Sequence, residues 1–197
     1  MATLFVDKVD PQSGTSLEIG SSGDTITIPS GATITNNGTQ TGFGGVNTPA
    51  FSATLASNQI LDNSETATKI PFTIGSPSGS SDFDTASAFA SNKFTVPSGQ
   101  AGKYIFSLGA DIESGSGGVV NIAVAYIYRN NAEVAQNRVD FRGNPGRGAG
   151  VMVTKVLDLS VGDYIEGFAA NSATGGTAYV YSSSGRRTWF QGFKLIT

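Results

Sequence analysis

Three carboxylates lie within nine positions in the segment VLDLSVGDYIEGF, residues 156–168. Asp158, Asp163 and Glu166 could form an acid/base pair, because two carboxyl groups that converge across a cleft can exchange protons with a substrate. They could also hold a calcium ion, which prefers carboxylate oxygens as ligands. A third possibility is that they only stabilise a turn and keep a surface solvated. The elements that carry the three residues decide between these possibilities.

The local pattern favours the turn and the solvated surface. Asp158 stands between two leucines, so on a strand it points to the opposite face from both, towards solvent. Asp163 follows a glycine in a turn, where a short acceptor can bond to nearby backbone N–H groups. Glu166 shares a face with Tyr164 and Phe168, which leaves its environment open. Nothing in the spacing forces convergence, and no D-x-D-x-D-G sequence of a calcium loop is present, so calcium stays a minor alternative.

The composition excludes several kinds of chemistry. The 197-residue chain has no His and no Cys, so it has no thiol nucleophile, no Ser–His pair and no imidazole ligand for zinc. The net charge of −3 gives no reason to expect nucleic-acid binding. No run of 18 apolar residues is present, and the N-terminus lacks the pattern of a secretory signal. We therefore expect no enzyme activity, no metal, no cofactor, no membrane insertion and no disulfide.

Residues 1–47 differ from the rest of the chain. The pieces LFVDKV, SLEIG, DTITIPSG and ATITNNG each read as a short strand bounded by Gly, Pro or Asn, and TITIPSG is nearly repeated as ATITNNG. Strands this short are marginal in isolation, and several chains winding together would remove that problem. The segment resembles the β-rich stem of a fibrous, trimeric viral protein; a loose N-terminal tail is the alternative. A polar, Gly-rich linker, residues 36–45, follows it.

Residues 48–197, here called the head, read as strand after strand. In GKYIFSLGADI, residues 102–112, apolar and polar positions alternate with period two, which predicts a half-buried strand with Tyr104 and Phe106 in the core. Asn130-Asn131 predicts a tight hairpin turn, because Asn tolerates positive φ. Eight to ten strands without an amphipathic helix predict an all-β fold, an antiparallel sandwich or jelly roll.

Five motifs in order resemble the globular domain of the C1q and tumour-necrosis-factor superfamily. They are PAFSA near Phe51, FTVPSGQAGKYIFS, IYRNNAEV, VLDLSVGDYIEG and TWFQGFKLI. The resemblance implies a ten-stranded jelly roll that assembles as a tight homotrimer, with Phe193 of the last motif buried. Collagen-type Gly-X-Y repeats are absent upstream. That departure suits a bacteriophage or related virus, where such heads cap fibres, better than an animal collagen-like protein.

The order of the loops predicts which end of the head binds a ligand. Successive loops of an antiparallel jelly roll alternate between two ends, which places the long Gly- and Ser-rich loops at one end, distal to the stem. Tyr and Arg are favoured at recognition surfaces. The candidate ligand-binding residues of these tip loops are Arg142, Arg147, Tyr179, Tyr181, Arg186 and Arg187. The arginines could fork onto carboxylate or phosphate groups; alternatively, these loops are solvent-exposed connectors.

These readings predict a virion structural protein, a trimeric fibre, spike or decoration protein of a bacteriophage. Its N-terminal segment would bind other virion proteins, and its distal head would contact a host surface glycan or receptor. One alternative is a secreted or cell-surface bacterial binding module of the same fold. Another is a glycan-degrading fibre enzyme, which the absence of an obvious carboxylate pair disfavours.

Overall fold

The computed structural model describes residues 8–38, 47–75, 81–183 and 186–195. The chain divides into two units, Met1–Phe43 and Gly44–Thr197; the domain boundary predicted from the sequence lies after residue 47. The described residues contain strands and turns but no helix, so the protein is all-β as predicted. Accordingly, no helix long and apolar enough to cross a bilayer occurs in these ranges.

Fourteen strands lie in the described part of the head, more than the eight to ten that the sequence predicts. Seven of them have only two or three residues, which period-two patterns cannot detect. In chain order the strands are β1 (Ala50–Leu55), β2 (Gln59–Ile60), β3 (Thr68–Lys69), β4 (Phe72–Thr73), β5 (Phe83–Asp84), β6 (Phe89–Ala90), β7 (Lys93–Thr95), β8 (Gly102–Ser114), β9 (Val119–Arg129), β10 (Ala132–Asp140), β11 (Gly148–Leu159), β12 (Tyr164–Thr174), β13 (Ala178–Val180) and β14 (Trp189–Lys194).

The strands form two antiparallel sheets packed as a β-sandwich. In the first sheet β8 pairs with β11 along one edge and with β14 and β13 along the other, and β1 lies beyond β14. The second sheet has the order β10-β9-β12-β7-β6, with β3 also paired to β12. From β7 onwards the chain crosses between sheets after β7, β8, β10, β11 and β12, so β8, β11, β12 and β14 pair mostly with strands distant in sequence, whereas β9 and β10 form a hairpin.

The two ends of the sandwich carry different connections. At one end the turns are short: Asn130 and Asn131 have the predicted positive φ of 51° and 67°, and Gly162 has a φ of 85°. The chain enters the head at this same end, because Pro49, just before β1, accepts a hydrogen bond there from the Lys194 N–H. At the other end the longer loops bond to each other, with Ser114 N–H donating to the Arg147 carbonyl. We call this second end the long-loop end; residues 76–80 of its first predicted loop lie outside the described residues.

An aromatic cluster fills the space between the sheets. Tyr104 and Phe106 of β8 are fully buried, as predicted. Phe106 contacts Phe94 of the second sheet with ring centroids 5.6 Å apart, and Phe51 stacks on Phe94 at 5.2 Å. The Tyr104 hydroxyl donates to the Gln100 carbonyl, which satisfies its polar end, and burial raises the pKa of Tyr104 to about 12. The rings therefore bind the two sheets together through one continuous apolar layer.

The prediction that Phe193 is buried is wrong: its side chain is 39% exposed. On β14 the core-facing positions are Phe190 and Gly192, and Phe193 stands on the opposite face because side chains alternate along a strand. Gly192 is needed on the core side, since a Cβ atom there would lie 2.5 Å from a ring carbon of Phe106. The last motif thus buries one phenylalanine and exposes the other.

The strands predicted in the N-terminal segment are not formed in the single chain. Residues 8–38 contain turns, such as the one closed by Asp24 N–H donating to the Ser21 carbonyl, but no strand. LFVDKV falls mostly outside the described residues. The backbone of an extended segment needs a neighbouring strand to satisfy its hydrogen-bonding groups, and within residues 8–38 no such neighbour is present.

We expect Phe106→Ala to lower the free energy of unfolding of the head by about 3–5 kcal/mol, because it removes a ring from a closed core. Phe83→Ala is the matched control, because Phe83 is exposed on β5 and its loss should cost less than about 0.5 kcal/mol. Chemical denaturation monitored by far-ultraviolet circular dichroism measures both. Equal losses in the two variants would contradict the assignment of the core.

Candidate functional site

Asp163 holds the turn between β11 and β12. Its carboxylate accepts hydrogen bonds from Asn130 Nδ2 at 2.6 Å, the Ser160 N–H at 2.8 Å and Arg129 at 2.6 Å. Burial alone would raise the pKa of the Asp163 carboxyl, but the three hydrogen bonds together hold it below its usual value. The side chain thereby ties the β9–β10 turn to the β11–β12 turn, which is the turn role that the sequence predicts.

Glu166 has a structural partner that the sequence does not reveal. Glu166 is only 5% exposed, and its Oε1 lies 2.6 Å from Lys69 Nζ of β3. Lys69 also donates to the Ser91 carbonyl in the β6–β7 turn. The ion pair therefore links β12 to β3 and to the β6–β7 turn. Glu166 Oε2 is buried without a hydrogen-bond partner among the described residues.

The three carboxylates of residues 156–168 do not form one site. Asp158 is exposed on β11, opposite Lys103 of β8 in the strand register. Asp163 lies in the turn, and Glu166 is buried on the outer side of the second sheet with Lys69. Within the described ranges no three acidic side chains converge as a metal site would require.

The six predicted tip residues divide into three sets. Tyr179, Tyr181 and Arg187 come together at the long-loop end: the tyrosine ring centroids are 6.0 Å apart, and the Arg187 guanidinium carbon lies 5.2 Å from the Tyr181 ring centroid. Arg142 is held instead by Asp140, with Nη2 at 2.6 Å from the carboxylate.

The two other predicted arginines are exposed. Arg147 bonds through its carbonyl to the Ser114 N–H beside Glu113. Arg186 precedes Arg187 and closes a turn onto the Ser183 carbonyl. Ligand binding by the six predicted residues remains a prediction.

Two acidic residues that the sequence analysis missed complete the group around Arg187. Arg187 Nη1 lies 2.8 Å from Asp111 Oδ2 and 2.5 Å from Glu113 Oε1, and the Tyr179 hydroxyl reaches Glu113 at 3.5 Å. Asp111 and Glu113 are two positions apart on β8, so both stand on the outer face of the first sheet. We call Asp111, Glu113, Tyr179, Tyr181 and Arg187 the tip cluster. The alternation of β8 could have shown that the two acids share a face, but not which residues meet them.

Hydrogen bonds to the buried Thr188 hold the backbone of the tip cluster in place. The buried Thr188 hydroxyl accepts the Asp111 N–H at 3.1 Å and donates to the Tyr181 carbonyl at 2.7 Å. Tyr181 N–H also donates to the Asp111 carbonyl at 2.7 Å. Burial raises the pKa of the Asp111 carboxyl and the nearby Glu113 charge raises it further, whereas Arg187 lowers it. The pKa of Asp111 is raised overall, and Arg187 is the group that opposes this rise.

The chain matches no protein-family model and no curated protein, so the site has to be judged on its geometry. Two adjacent carboxylates can act as a glycosidase pair only when the reacting sugar carbon lies between them. In the tip cluster a guanidinium nitrogen occupies that position.

We expect Arg187→Ala to raise the pKa of Asp111, because the charge that lowers it is removed while burial and Glu113 remain. A carboxyl group whose folded-state pKa exceeds its unfolded value contributes most to stability below the unfolded value and loses that contribution as pH rises. The variant should therefore gain stability relative to wild type as the pH falls from 7 towards 4. Carboxyl ¹³C NMR titration and thermal melts measure the two effects. Arg142→Ala should leave the Asp111 titration unchanged, and a shift there would contradict the separation of the two groups.

Proposed function

We propose that the chain is a virion structural protein: a homotrimeric fibre, spike or decoration protein, with a C1q/TNF-like jelly-roll head that contacts a host surface. The observation that carries this proposal is the exposure of large apolar side chains along residues 8–38. Six of them are 44–65% exposed in the single chain: Val9, Leu17, Ile19, Ile26, Ile28 and Ile34. Apolar residues in such number favour burial against other copies of the same segment, as in the stem of a fibre.

Strand order supports the jelly-roll assignment of the head. The first sheet runs β11-β8-β14-β1 and the second runs β10-β9-β12-β7. From β7 onwards the chain passes from one sheet to the other at every connection except the β9–β10 hairpin and the β13–β14 connection, which supports the winding of a jelly roll. The motifs that resemble the C1q and tumour-necrosis-factor superfamily fall on β1, β7–β8, β9–β10, β11–β12 and β14.

A stripe on the outer face of the first sheet is the surface we propose for contact between copies. Phe193, Ile105 and Val156 are neighbours across β14, β8 and β11 in the strand register. Phe193 and Val156 are exposed, and Met152 extends the stripe along β11. Exposure of three large apolar side chains on one sheet face to water is unfavourable, and a second and third copy of the chain would cover them.

Val156→Asp should convert a trimer into monomers, because each copy would place an unpaired carboxylate in an apolar contact. Val161→Asp is the matched control: Val156 is 50% and Val161 is 51% exposed in the single chain, but Val161 lies in a turn away from the stripe. Sedimentation equilibrium at micromolar concentration separates the two. A folded wild-type monomer, or equal behaviour of the two variants, would end the proposal for this interface.

The virion assignment is tested by finding the chain on a particle. Antibodies raised against residues 48–197 should label purified virions in immuno-electron microscopy, at the end of a fibre or on the shell. Label found only on bacterial cells would instead indicate a cell-surface binding module. Turnover of host polysaccharide by the purified protein would indicate a fibre enzyme.

A further inference from the structure

Two of the four predicted tip arginines, Arg187 and Arg142, are engaged by carboxylates. Arg187 is shared by Asp111 and Glu113, so one positive charge faces two negative charges. Arg142 is likewise engaged by Asp140 through Nε and Nη2. A carboxylate or phosphate ligand that approached the tip cluster would meet a local excess of negative charge. At Arg187 and Arg142 the charge pattern therefore argues against the anionic ligands that these two arginines suggest when the sequence is considered alone.

The surface beside Asp111 is open. Asp111 lies opposite Gly150 of β11, and a Cβ atom added at Gly150 would meet no atom within 4 Å. On the other side of β8 stand the partly exposed rings of Tyr179 and Tyr181. The Arg187 side chain, 50% exposed, contacts both carboxylates and lies near the Tyr181 ring. A ligand that lies above Gly150, which has no side chain, can thus contact carboxylate, guanidinium and aromatic groups at once.

We propose that the tip cluster binds a neutral, hydroxyl-rich glycan. A sugar hydroxyl both donates and accepts, so it can bond to a carboxylate and to a guanidinium in the same contact. The C–H face of a sugar ring is suited to the negative face of a tyrosine ring. This inference rests on the proposed function, since it names the ligand class of the head that contacts a host surface.

The glycan is favoured over other ligands on the same observations. A divalent cation would find only two carboxylates, both already bonded to Arg187. A protein receptor would require a broad surface of well-packed contacts, whereas the features here are confined to the ends of three strands. The hydrogen bonds through Thr188 fix Asp111 relative to Tyr181 before any ligand arrives, as a site for a small rigid ring requires.

The site borders the proposed contact between copies. Met152, at the near end of the apolar stripe, lies opposite Gly109 on β8, two residues or about 7 Å from Asp111 at about 3.3 Å per residue, whereas Ile105 is six residues away. Enclosing the tip cluster in that contact would remove a net negative group from water, which is unfavourable. We therefore expect the tip cluster to remain accessible in the trimer.

The test is binding of the full chain to an array of bacterial surface polysaccharides, sorted into neutral and anionic ones. We expect binding to neutral members that is insensitive to salt. Gly150→Phe should reduce it at least tenfold by filling the open position, and Tyr181→Ala should reduce it similarly. Gly143→Phe is the matched control, because a Cβ atom at Gly143 also meets nothing within 4 Å; it should bind as wild type does.

Binding confined to anionic members, no binding to any member, or neutral binding unaffected by Gly150→Phe would overturn the inference. Dissociation of the trimer by Gly150→Phe in sedimentation would overturn it too, since the cluster would then lie in the contact between copies. If virions carry the chain but attach through a protease-sensitive receptor with no array binding, the proposed function stands and the glycan inference fails.

Discussion

Two aromatic rings lie over glycines of the neighbouring strand, and the pairing of β8 with β14 depends on both. On the core face Phe106 lies against Gly192, and on the outer face Trp189 lies against Gly109, where a Cβ atom would be 2.7 Å from the indole. A shift of the register by one residue would drive each ring into a side chain or leave it uncovered. Because β8 also pairs with β11 and β13, this one register determines where the core, the apolar stripe and the tip cluster lie.

Much of the architecture can be predicted from alternation and turn chemistry. The alternating residues of β8, the two positive-φ asparagines and the glycine of the β11–β12 turn specify local geometry by themselves. Phe193 was assigned to the core from a family motif, although Phe190 and Phe193 are three positions apart and must face opposite ways on a strand. The period of the strand was the better guide there than the motif.

The tip cluster and the buried ion pair could not be predicted in the same way. Asp111 meets Arg187, and Lys69 meets Glu166, across 76 and 97 positions of sequence respectively. Such contacts follow from the order of strands in the sheets, which local patterns do not specify. Residues 8–38 show the same limit: Ile26 and Ile28 alternate as in a strand, but no partner strand lies within these residues.

The glycines at the long-loop end differ in how much room they leave. A Cβ atom at Gly118 would lie 2.2 Å from the Gly175 carbonyl oxygen, and one at Gly176 3.1 Å from the Gly115 carbonyl oxygen, so these two loops are locked together. Gly143, between β10 and β11, has open space around it. The chain enters the head at the opposite end, beside Pro49. Surface loops of this kind accept insertions with little effect on the fold. Position 143 is accordingly where an engineer would graft a foreign epitope for display on this scaffold.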